Sequence, residues 1–416
     1  MAGVLRDHHG MTTATLSADP RFTGLLDTAR ALQPRTVALR RQLHKHPEEG
    51  LDLPKTQAAV LHALEGLGLH VTTGETCSSV TAVLDGGEPG PTVLLRGDMD
   101  ALPLREESGL AFASETDGTM HACGHDTHTA MLVSAARLLN SRRDALVGRV
   151  VFMFQPGEEG QHGARYMLEE GVLEAGGRPV EQAFALHITS TAPSGVVMCR
   201  PGPMMASADA YTVTVTGKGG HGAMPDRAID PVPAAAAMVG ALQTMVTRRF
   251  SVFDPAVLTI GRITAGTTSN IIPETAELEG TVRTLSDQAR SVVLTEIPKV
   301  CEHIAAAHGC TAIFRTNTGY PSTINDGTVA SRVLDLASTV LSQKYSALME
   351  EPLMASEDFS YVLRKVPGAL AFLGACPPGV TPDEAAPNHS NRVHFDESAF
   401  AHGVAMYAAF ALDALR

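Results

Sequence analysis

Potential metal ligands are concentrated in one short segment of the chain. The segment MHACGHDTH, residues 120–128, carries three histidines, a cysteine and an aspartate. A cysteine thiolate and a histidine imidazole two residues apart, as at Cys123 and His125, can bind one divalent ion of borderline softness. A buried cysteine beside surface histidines is the alternative, but this density of donors favours a metal site.

Acidic and histidine side chains also stand at the ends of predicted strands. They are Asp98 and Asp100 in GDMDALP (97–103), Glu158 and Glu159 in FQPGEEG (154–160), and His187 in ALHI (185–188). Loops at the carboxyl ends of strands build the sites of open α/β sheets. Taken singly, each segment also has an ordinary explanation as a polar turn, a solvated helix start or a core histidine.

Together the segments predict a centre for two divalent metal ions. The expected ligands are Cys123, His125, Glu159 and His187, with His389 in the NHS of residues 388–390 as a further donor. Glu158 remains available to move protons beside the metals. This arrangement is typical of a two-metal hydrolase, whose ions lie about 3.5–4 Å apart and share a water. Zinc suits a Cys/His/Glu set best, but manganese, cobalt or nickel could occupy it.

The elements that carry these segments predict an α/β fold. Strands are expected at 79–85, 92–95, 149–154, 183–188, 195–199 and 369–374, and helices at 57–67, 127–140, 164–170, 326–341 and 397–415. Several of these strands are continuous apolar runs, which indicate a sheet covered by helices on both faces. Residues 22–46 have helical spacing with Pro34 near a turn or kink, and residues 1–18 are expected to form a loose tail.

The middle of the chain has a different pattern. Its expected elements are a strand at 210–216, an alanine-rich helix at 231–248, strands at 257–264 and 274–284, a helix at 286–308 and a strand at 310–316. The order β-α-β-β-α-β is the split-βαβ pattern of a small ferredoxin-like domain. We therefore expect 209–318 to be an inserted α+β domain, and 19–208 plus 319–416 to form one discontinuous metal-binding domain.

Composition limits the classes of partner. The chain has 416 residues and a net charge of −13, without a basic stripe for nucleic acid. Its longest apolar stretch, 231–246, is shorter than the roughly 18 to 20 residues of a membrane span. The first residues, MAGVLRDHHG, lack the apolar region of a signal peptide, so a cytoplasmic enzyme is expected. Six cysteines are too few for a disulfide scaffold at this length.

The motifs resemble those of the aminoacylase and carboxypeptidase family of co-catalytic metallopeptidases. The similarity extends from RQLHKHPEEG (41–50) to NHSNRVHFDE (388–397), and the combination of MHACGHD, EEG and GGHGAMP is highly specific. The most similar branch contains hippurate hydrolases, auxin-conjugate amidohydrolases and bacterial N-acyl-amino-acid aminoacylases. The resemblance implies a metal-dependent amidohydrolase that releases a free amino acid from an N-acyl-L-amino acid.

The resemblance also implies roles for individual residues of the main domain. The matches to metal ligands are Cys123 at a bridging position that is Asp in other branches, and His125, Glu159, His187 and His389. Glu158 matches the catalytic base, and Asp100 matches an acidic residue that orients the metal site.

Three matches lie on the inserted domain. His221, in GGHGAMP, matches a residue that reaches into the neighbouring subunit's site and stabilises the oxyanion, and Asn270 and Arg283 match residues that hold the substrate's carboxylate. Because the inserted domain of this family forms dimers, the resemblance implies a homodimer. The simpler alternatives are a turn residue at His221 and a surface charge at Arg283.

Two other functions remain open at this point. A dipeptidase or carboxypeptidase with the same dinuclear site would differ only in the shape of its pocket. A catalytically silent homologue could keep the fold and bind metal, although storage of metal requires no base such as Glu158.

Overall fold

The computed structural model describes residues 19–416, so the tail expected at 1–18 lies outside the described residues. The chain forms two compact units. The first contains the described residues up to Gly202 together with Asn325–Glu350 and Val362–Arg416. The second contains Pro203–Ile324 and Glu351–Tyr361.

The helices and strands alternate along much of the chain. The strands are β1 His70–Thr73, β2 Val80–Asp85, β3 Glu88–Asp98, β4 Val147–Gln155, β5 Gln182–Thr189, β6 Val197–Cys199, β7 Gly202–Met205, β8 Asp209–Thr216, β9 Gly220–His221, β10 Ala256–Ala265, β11 Ile271–Ile272, β12 Thr275–Thr284, β13 Thr311–Thr318, β14 Thr323–Asn325, β15 Ser346–Leu348 and β16 Gly368–Gly374. The helices are α1 Leu25–Lys45, α2 Pro54–Leu64, α3 His125–Asn140, α4 Gly163–Glu169, α5 Pro231–Arg249, α6 Asp287–Ala307, α7 Gly327–Val340, α8 Ser360–Leu363 and α9 Phe400–Ala414.

The first unit is built on a mixed sheet of eight strands. Their order across the sheet is β1-β2-β4-β3-β5-β16-β6-β15. The four central strands, β4, β3, β5 and β16, are mutually parallel, and β1, β2 and β6 make antiparallel pairs. The carboxyl ends of four neighbouring parallel strands therefore meet at one edge of the sheet, as the sequence pattern requires.

The centre of this sheet is covered on both faces. Every residue of β16 is buried, as are the inner six residues of β5. Successive side chains of a strand point to opposite faces, so an unbroken run of buried residues means that both faces pack against other elements. Helices α1, α3 and α9 pack against one another, and α3 is buried on nearly every side.

The expectation of a turn at Pro34 was wrong. Pro34 does not end or interrupt the first helix, because α1 continues through it from Leu25 to Lys45. A proline inside a helix removes one backbone hydrogen bond. The buried face of this helix, which includes Leu25, Ala29 and Leu43, packs against α3 and α9 and supports the helix on both sides of the proline.

The second unit contains a four-stranded antiparallel sheet and two long helices. The strand order is β10-β12-β8-β13, and the elements follow along the chain as β8, α5, β10, β12, α6 and β13, with the short β9 and β11 paired separately. Burial alternates along β8, with Tyr211, Val213 and Val215 in the core, so one face of this sheet is covered. Within residues 19–416, no helix has the length and apolar character needed to cross a membrane.

The second unit extends beyond the range 209–318 that the local pattern predicts. It begins at Pro203 and includes Glu351–Tyr361, which is far away in the sequence. The Ala206 N–H donates to the carbonyl oxygens of Leu353 and Ala355, at 3.0 and 2.9 Å. Such long-range backbone pairing leaves no periodic signal in either segment.

Candidate metal centre

The acidic residues expected at the site lie at or just after the carboxyl ends of two adjacent strands of the first sheet. β3 ends at Asp98 and β4 at Gln155, and the two strands are parallel neighbours. The carboxylate of Asp100 accepts the backbone N–H groups of Glu158 and Glu159 at 3.0 and 2.9 Å. Asp100 thereby fixes the loop after β4 to the loop after β3, and both lie at the carboxyl edge of the sheet.

The beginning of α3 brings a cysteine and a histidine to the same edge. Gly124 precedes the helix with φ +89°, and a Cβ there would lie 2.5 Å from a side-chain carbon of Ile188. Glycine therefore allows the close approach that places Cys123 and His125 over the end of β5. The Nδ1 of His125 is 3.3 Å from Asp100, which orients the imidazole with its Nε2 directed away from that carboxylate.

The last predicted donor comes from a loop near the end of the chain. His389 has φ +67°, and its N–H donates to the Ala122 carbonyl at 2.9 Å. The side-chain Nδ2 of Asn388 donates to the backbone carbonyls of Cys123 and Ile188, both at 3.0 Å. These bonds hold the loop against the start of α3 and the end of β5.

The five expected ligands form two groups of donors that share one sulfur. Cys123, His125 and His187 form the first group, and Cys123, Glu159 and His389 form the second, each with ligand atoms within 4.8 Å of one another. The Cys123 Sγ is 3.4 Å from the His187 Nε2 and 3.2 Å from the His389 Nε2. The Glu159 Oε1 is 3.3 Å from the His389 Nε2 and 3.9 Å from the His125 Nε2.

The donor atoms fit divalent cations. Within residues 19–416, His125 Nε2 is buried without a hydrogen-bond partner, and Glu159 Oε1 is buried 3.3 Å from His389 Nε2. His187 donates its Nδ1–H to the Ile188 carbonyl at 2.8 Å, so its Nε2 carries the lone pair toward Cys123. Sulfur, imidazole nitrogen and carboxylate oxygen are the donors that zinc takes in proteins, and a cation would satisfy the buried atoms.

Glu158 lies beside this cluster. Its Oε2 is 4.0 Å from the His125 Nε2, and its side chain is 7% exposed. A second carboxylate next to the donor groups is placed to exchange a proton with a water molecule held there.

The residues expected on the second unit fall at two separate places. β9 pairs with β11 so that His221 stands opposite Ile271, and the Gly222 N–H donates to the Asn270 carbonyl at 2.9 Å. His221 and Asn270 are therefore neighbours. Arg283 lies near the far end of β12, eight residues beyond Thr275, or roughly 26 Å at the rise of a β-strand.

One family model matches most of the chain. Residues 94–413 match the model of peptidase family M20/M25/M40. The chain belongs to this family. The match includes the carboxyl edge of the first sheet, the second unit and the loop that carries His389.

Individual relatives agree with this membership. The M20 family chain is 40% identical over 346 residues to an N-acetylcysteine deacetylase of Bacillus subtilis, with 83% of this chain and 89% of the relative covered. It is 36% identical over 397 residues to thermostable carboxypeptidase 1 of Saccharolobus solfataricus, with 93% of this chain and 97% of the relative covered. A Bacillus subtilis structure described as a dinuclear metal binding peptidase superposes with a TM-score of 0.80 at 35% identity, covering 93% of this chain and 99% of that one. The M20 protein is accordingly a hydrolase by family.

The M20 protein also has a buried ionic network that the sequence analysis did not identify. Asp126 accepts from His44 Nδ1 at 2.8 Å and lies 2.8 Å from Arg40 Nε, and His44 Nε2 is 3.2 Å from Glu106. Although burial opposes charge on each carboxyl, Arg40 lowers the pKa of Asp126 and His44 lowers that of Glu106 to about 2. The signal in the sequence is the pair Arg40 and His44, four residues and about one helical turn apart, but their acidic partners are distant in sequence.

Two of the ligand candidates, Cys123 and His389, hold protons when no cation is bound. Burial raises the pKa of the Cys123 thiol, and hydrogen bonds to Cys123 and Glu159 raise the pKa of His389 to about 10. Metal binding requires a thiolate and a neutral imidazole, so both groups must lose protons that they carry at neutral pH.

Metal affinity is therefore expected to rise with pH. Both pKa values are raised, so proton competition is fully present at low pH and declines as pH rises; the affinity should increase about tenfold per pH unit for each proton released. Zinc titrations from pH 6 to 8, with a dye recording released protons, measure this directly. A flat affinity with no proton release would contradict the assignment of Cys123 and His389 as ligands.

Proposed function

We propose that the protein is a metal-dependent amidohydrolase that cleaves N-acyl-L-amino acids into a carboxylic acid and a free amino acid. The observation that carries this proposal is the pair of donor groups sharing the Cys123 sulfur, with the Glu158 carboxylate 4.0 Å from His125. The 40% identity to a protein named N-acetylcysteine deacetylase supports an N-acyl amino acid as the substrate class.

In this proposal the two donor groups would hold two divalent ions, for which zinc suits the donor atoms best. Cys123 would be a ligand in both donor groups, with His125 and His187 in one group and Glu159 and His389 in the other. Asp100 orients His125 and the loop of Glu158 through the hydrogen bonds described above. When bound, the ions supply positive charge that lowers the pKa of a water molecule and polarises the amide carbonyl.

The chain's own residues then move the protons and bind the charges. The carboxylate of Glu158 takes a proton from the attacking water and returns it to the nitrogen of the leaving amine. The imidazole of His221 donates to the oxygen that becomes negative in the tetrahedral intermediate. The guanidinium of Arg283 pairs with the planar α-carboxylate of the substrate, which lets an acidic protein bind an anion.

The same assignments favour a homodimer. Asn270 and Arg283 are both expected to bind the substrate's carboxylate, yet Asn270 precedes the start of β12 at Thr275, whereas Arg283 lies eight residues beyond that start, roughly 26 Å along the strand. One carboxylate cannot contact both side chains in a single chain. A second copy that supplies His221 and Asn270 resolves the conflict, with the second unit as the dimer interface.

Replacing Arg283 with alanine is expected to raise KM roughly 10- to 100-fold, because the substrate loses a hydrogen-bonded charge pair, and to change kcat less. Lysine should restore only part of the affinity because it lacks the planar fork of the guanidinium. Steady-state kinetics on an N-acyl amino acid measure both constants. Arg315→Ala, an exposed arginine of the same sheet, is the matched control, and an unchanged KM in Arg283→Ala would remove Arg283 from the site.

A dipeptidase or carboxypeptidase activity at the same site is the second candidate. It is favoured by the 36% identity to a thermostable carboxypeptidase over nearly the whole chain. A silent metal-binding homologue is less consistent with the chain, since Glu158 is retained beside the ligands. The cytoplasmic location expected from the sequence stays a prediction.

One substrate panel tests the proposal against both alternatives. The zinc-loaded and manganese-loaded protein is incubated with N-acetyl, N-benzoyl and longer N-acyl amino acids and with dipeptides, and free amino acid is quantified with and without chelator. We expect chelator-sensitive release from N-acyl amino acids. Faster release from dipeptides would favour the peptidase, and no release with two ions bound would favour the binding protein.

A further inference from the structure

One histidine of the donor-rich segment has a different environment from its neighbours. His128 lies one turn after His125 on α3 and is fully buried. Its Nδ1 is 2.5 Å from the Asp98 carboxylate, and its Nε2 is 2.7 Å from the backbone nitrogen of Ile188. Both ring nitrogens are therefore engaged by groups on two different strands, β3 and β5.

These two partners fix the protonation pattern of the ring. The backbone N–H of Ile188 can only donate, so the His128 Nε2 must carry a lone pair. The ring then holds its proton on Nδ1 and donates it to Asp98. His128 could ligate a cation only by giving up one of these bonds, although Asp98, His125 and His128 lie close enough together to resemble a third donor group.

The bonds of His128 converge on the first donor group. Its ring centroid lies 4.7 Å from that of His187 and 5.5 Å from that of His125. Ile188, whose N–H it accepts, follows His187 directly, and the Ile188 carbonyl accepts the His187 Nδ1–H. Asp98 is held from the other side by Arg96 at 2.8 Å.

We propose that His128 is a positioning residue of the metal centre: as a neutral imidazole protonated on Nδ1, it joins Asp98 of β3 to the Ile188 N–H of β5 and so fixes the ring of His187 against that of His125. This inference rests on the proposed ligand set. Partners of this kind set ligand orientation, and their loss typically lowers metal affinity 10- to 100-fold.

The test compares three single variants with the wild-type chain. His128→Phe keeps an aromatic ring and removes both hydrogen bonds. His128→Gln keeps one donor and one acceptor at a similar separation. His402→Phe is the matched control, because His402 is also buried, donates to the Gly195 carbonyl and packs on Tyr345, none of which is a ligand candidate.

Each apoprotein is titrated with Zn²⁺ against a chromophoric chelator and with Co²⁺ to record the cobalt–thiolate absorption. We expect His128→Phe to bind the more tightly held Zn²⁺ ion with 10- to 100-fold lower affinity and to have an altered cobalt spectrum. His128→Gln should recover both to within about threefold, and His402→Phe should match the wild type. Wild-type affinity in His128→Phe, an equal loss in His402→Phe, or no recovery in His128→Gln would overturn the proposal.

Two further measurements keep the result decisive. If His128→Phe does not fold, nitrogen NMR of the histidine-labelled wild-type chain at pH 7.5 tests the proposal instead. The proposal requires His128 to be protonated on Nδ1 alone, so a proton on Nε2 refutes it. His187→Ala tests the ligand set separately. If that variant binds zinc like the wild type, the proposed metal site fails, whatever His128 shows.

Discussion

Replacing Glu158 with glutamine is expected to lower kcat for hydrolysis of an N-acyl amino acid by about 10²- to 10⁴-fold, the usual contribution of a positioned general base. Glutamine has the shape of glutamate but cannot accept a proton at neutral pH. The backbone N–H of residue 158, which Asp100 accepts at 3.0 Å, is unchanged, so the loop should stay in place. Steady-state kinetics and metal analysis on the same preparation measure the effect.

Metal content distinguishes a lost base from a lost site. Glu158→Gln should retain the wild-type number of ions per chain, because Glu158 is absent from both of the groups that share Cys123. Glu159→Gln should lose an ion as well as activity. Glu88→Gln, at the exposed start of β3, is the control and should lose neither an ion nor activity. If Glu158→Gln keeps wild-type kcat with its ions bound, another group carries the proton.

Most buried strands could be predicted from the sequence to within a residue or two, but the strand expected at 92–95 spans Glu88–Asp98. Ala369–Gly374 was expected and Gly368–Gly374 is observed, because a central strand of a covered sheet must be apolar on both faces. The second helix was placed at 57–67 but spans Pro54–Leu64. The proline at its first position is a helix-start signal, and it indicates the observed boundary better than apolar spacing does.

Cys123, His125, Glu159 and His187 could be predicted because each lies in a local motif near a strand end or a helix start. What the sequence does not contain is the pairing between motifs. His121, His125 and His128 look equivalent in MHACGHDTH, yet of these three only His125 belongs to a donor group with Cys123 and also contacts Asp100. The environments of His125 and His128 are set by residues 25 and 30 positions away, Asp100 for His125 and Asp98 for His128.

Irregular backbone conformation is a second reason why part of the site could not be predicted from the sequence. His389 has a positive φ that non-glycine residues seldom adopt, and it keeps this conformation because its N–H donates to the Ala122 carbonyl while Asn388 is held by Cys123 and Ile188. The tripeptide NHS contains no sign of these contacts. Its assignment from sequence therefore depended on a missing donor and on the family resemblance.

Replacing Cys123 with alanine is expected to remove both metal ions, whereas His389→Ala should remove one. Cys123 belongs to both donor groups, and its sulfur lies 3.4 Å from His187 on one side and 3.2 Å from His389 on the other. Alanine leaves two donors in each group, too few for a stable zinc site. Zinc per chain after dialysis should fall from about two to below about 0.5 in Cys123→Ala, and to about one in His389→Ala.

The difference between these variants separates a shared ligand from two independent sites. The first group is fully buried, while the His389 side chain is 54% exposed, so the ion retained by His389→Ala should be the one at Cys123, His125 and His187. Cys123→Asp should keep both ions, since a carboxylate has two oxygens with which to bridge, and Cys199→Ser controls for loss of a buried thiol. Retention of one tightly held ion in Cys123→Ala would show that the sulfur serves a single site, and the shared-water mechanism would then lose its geometric basis.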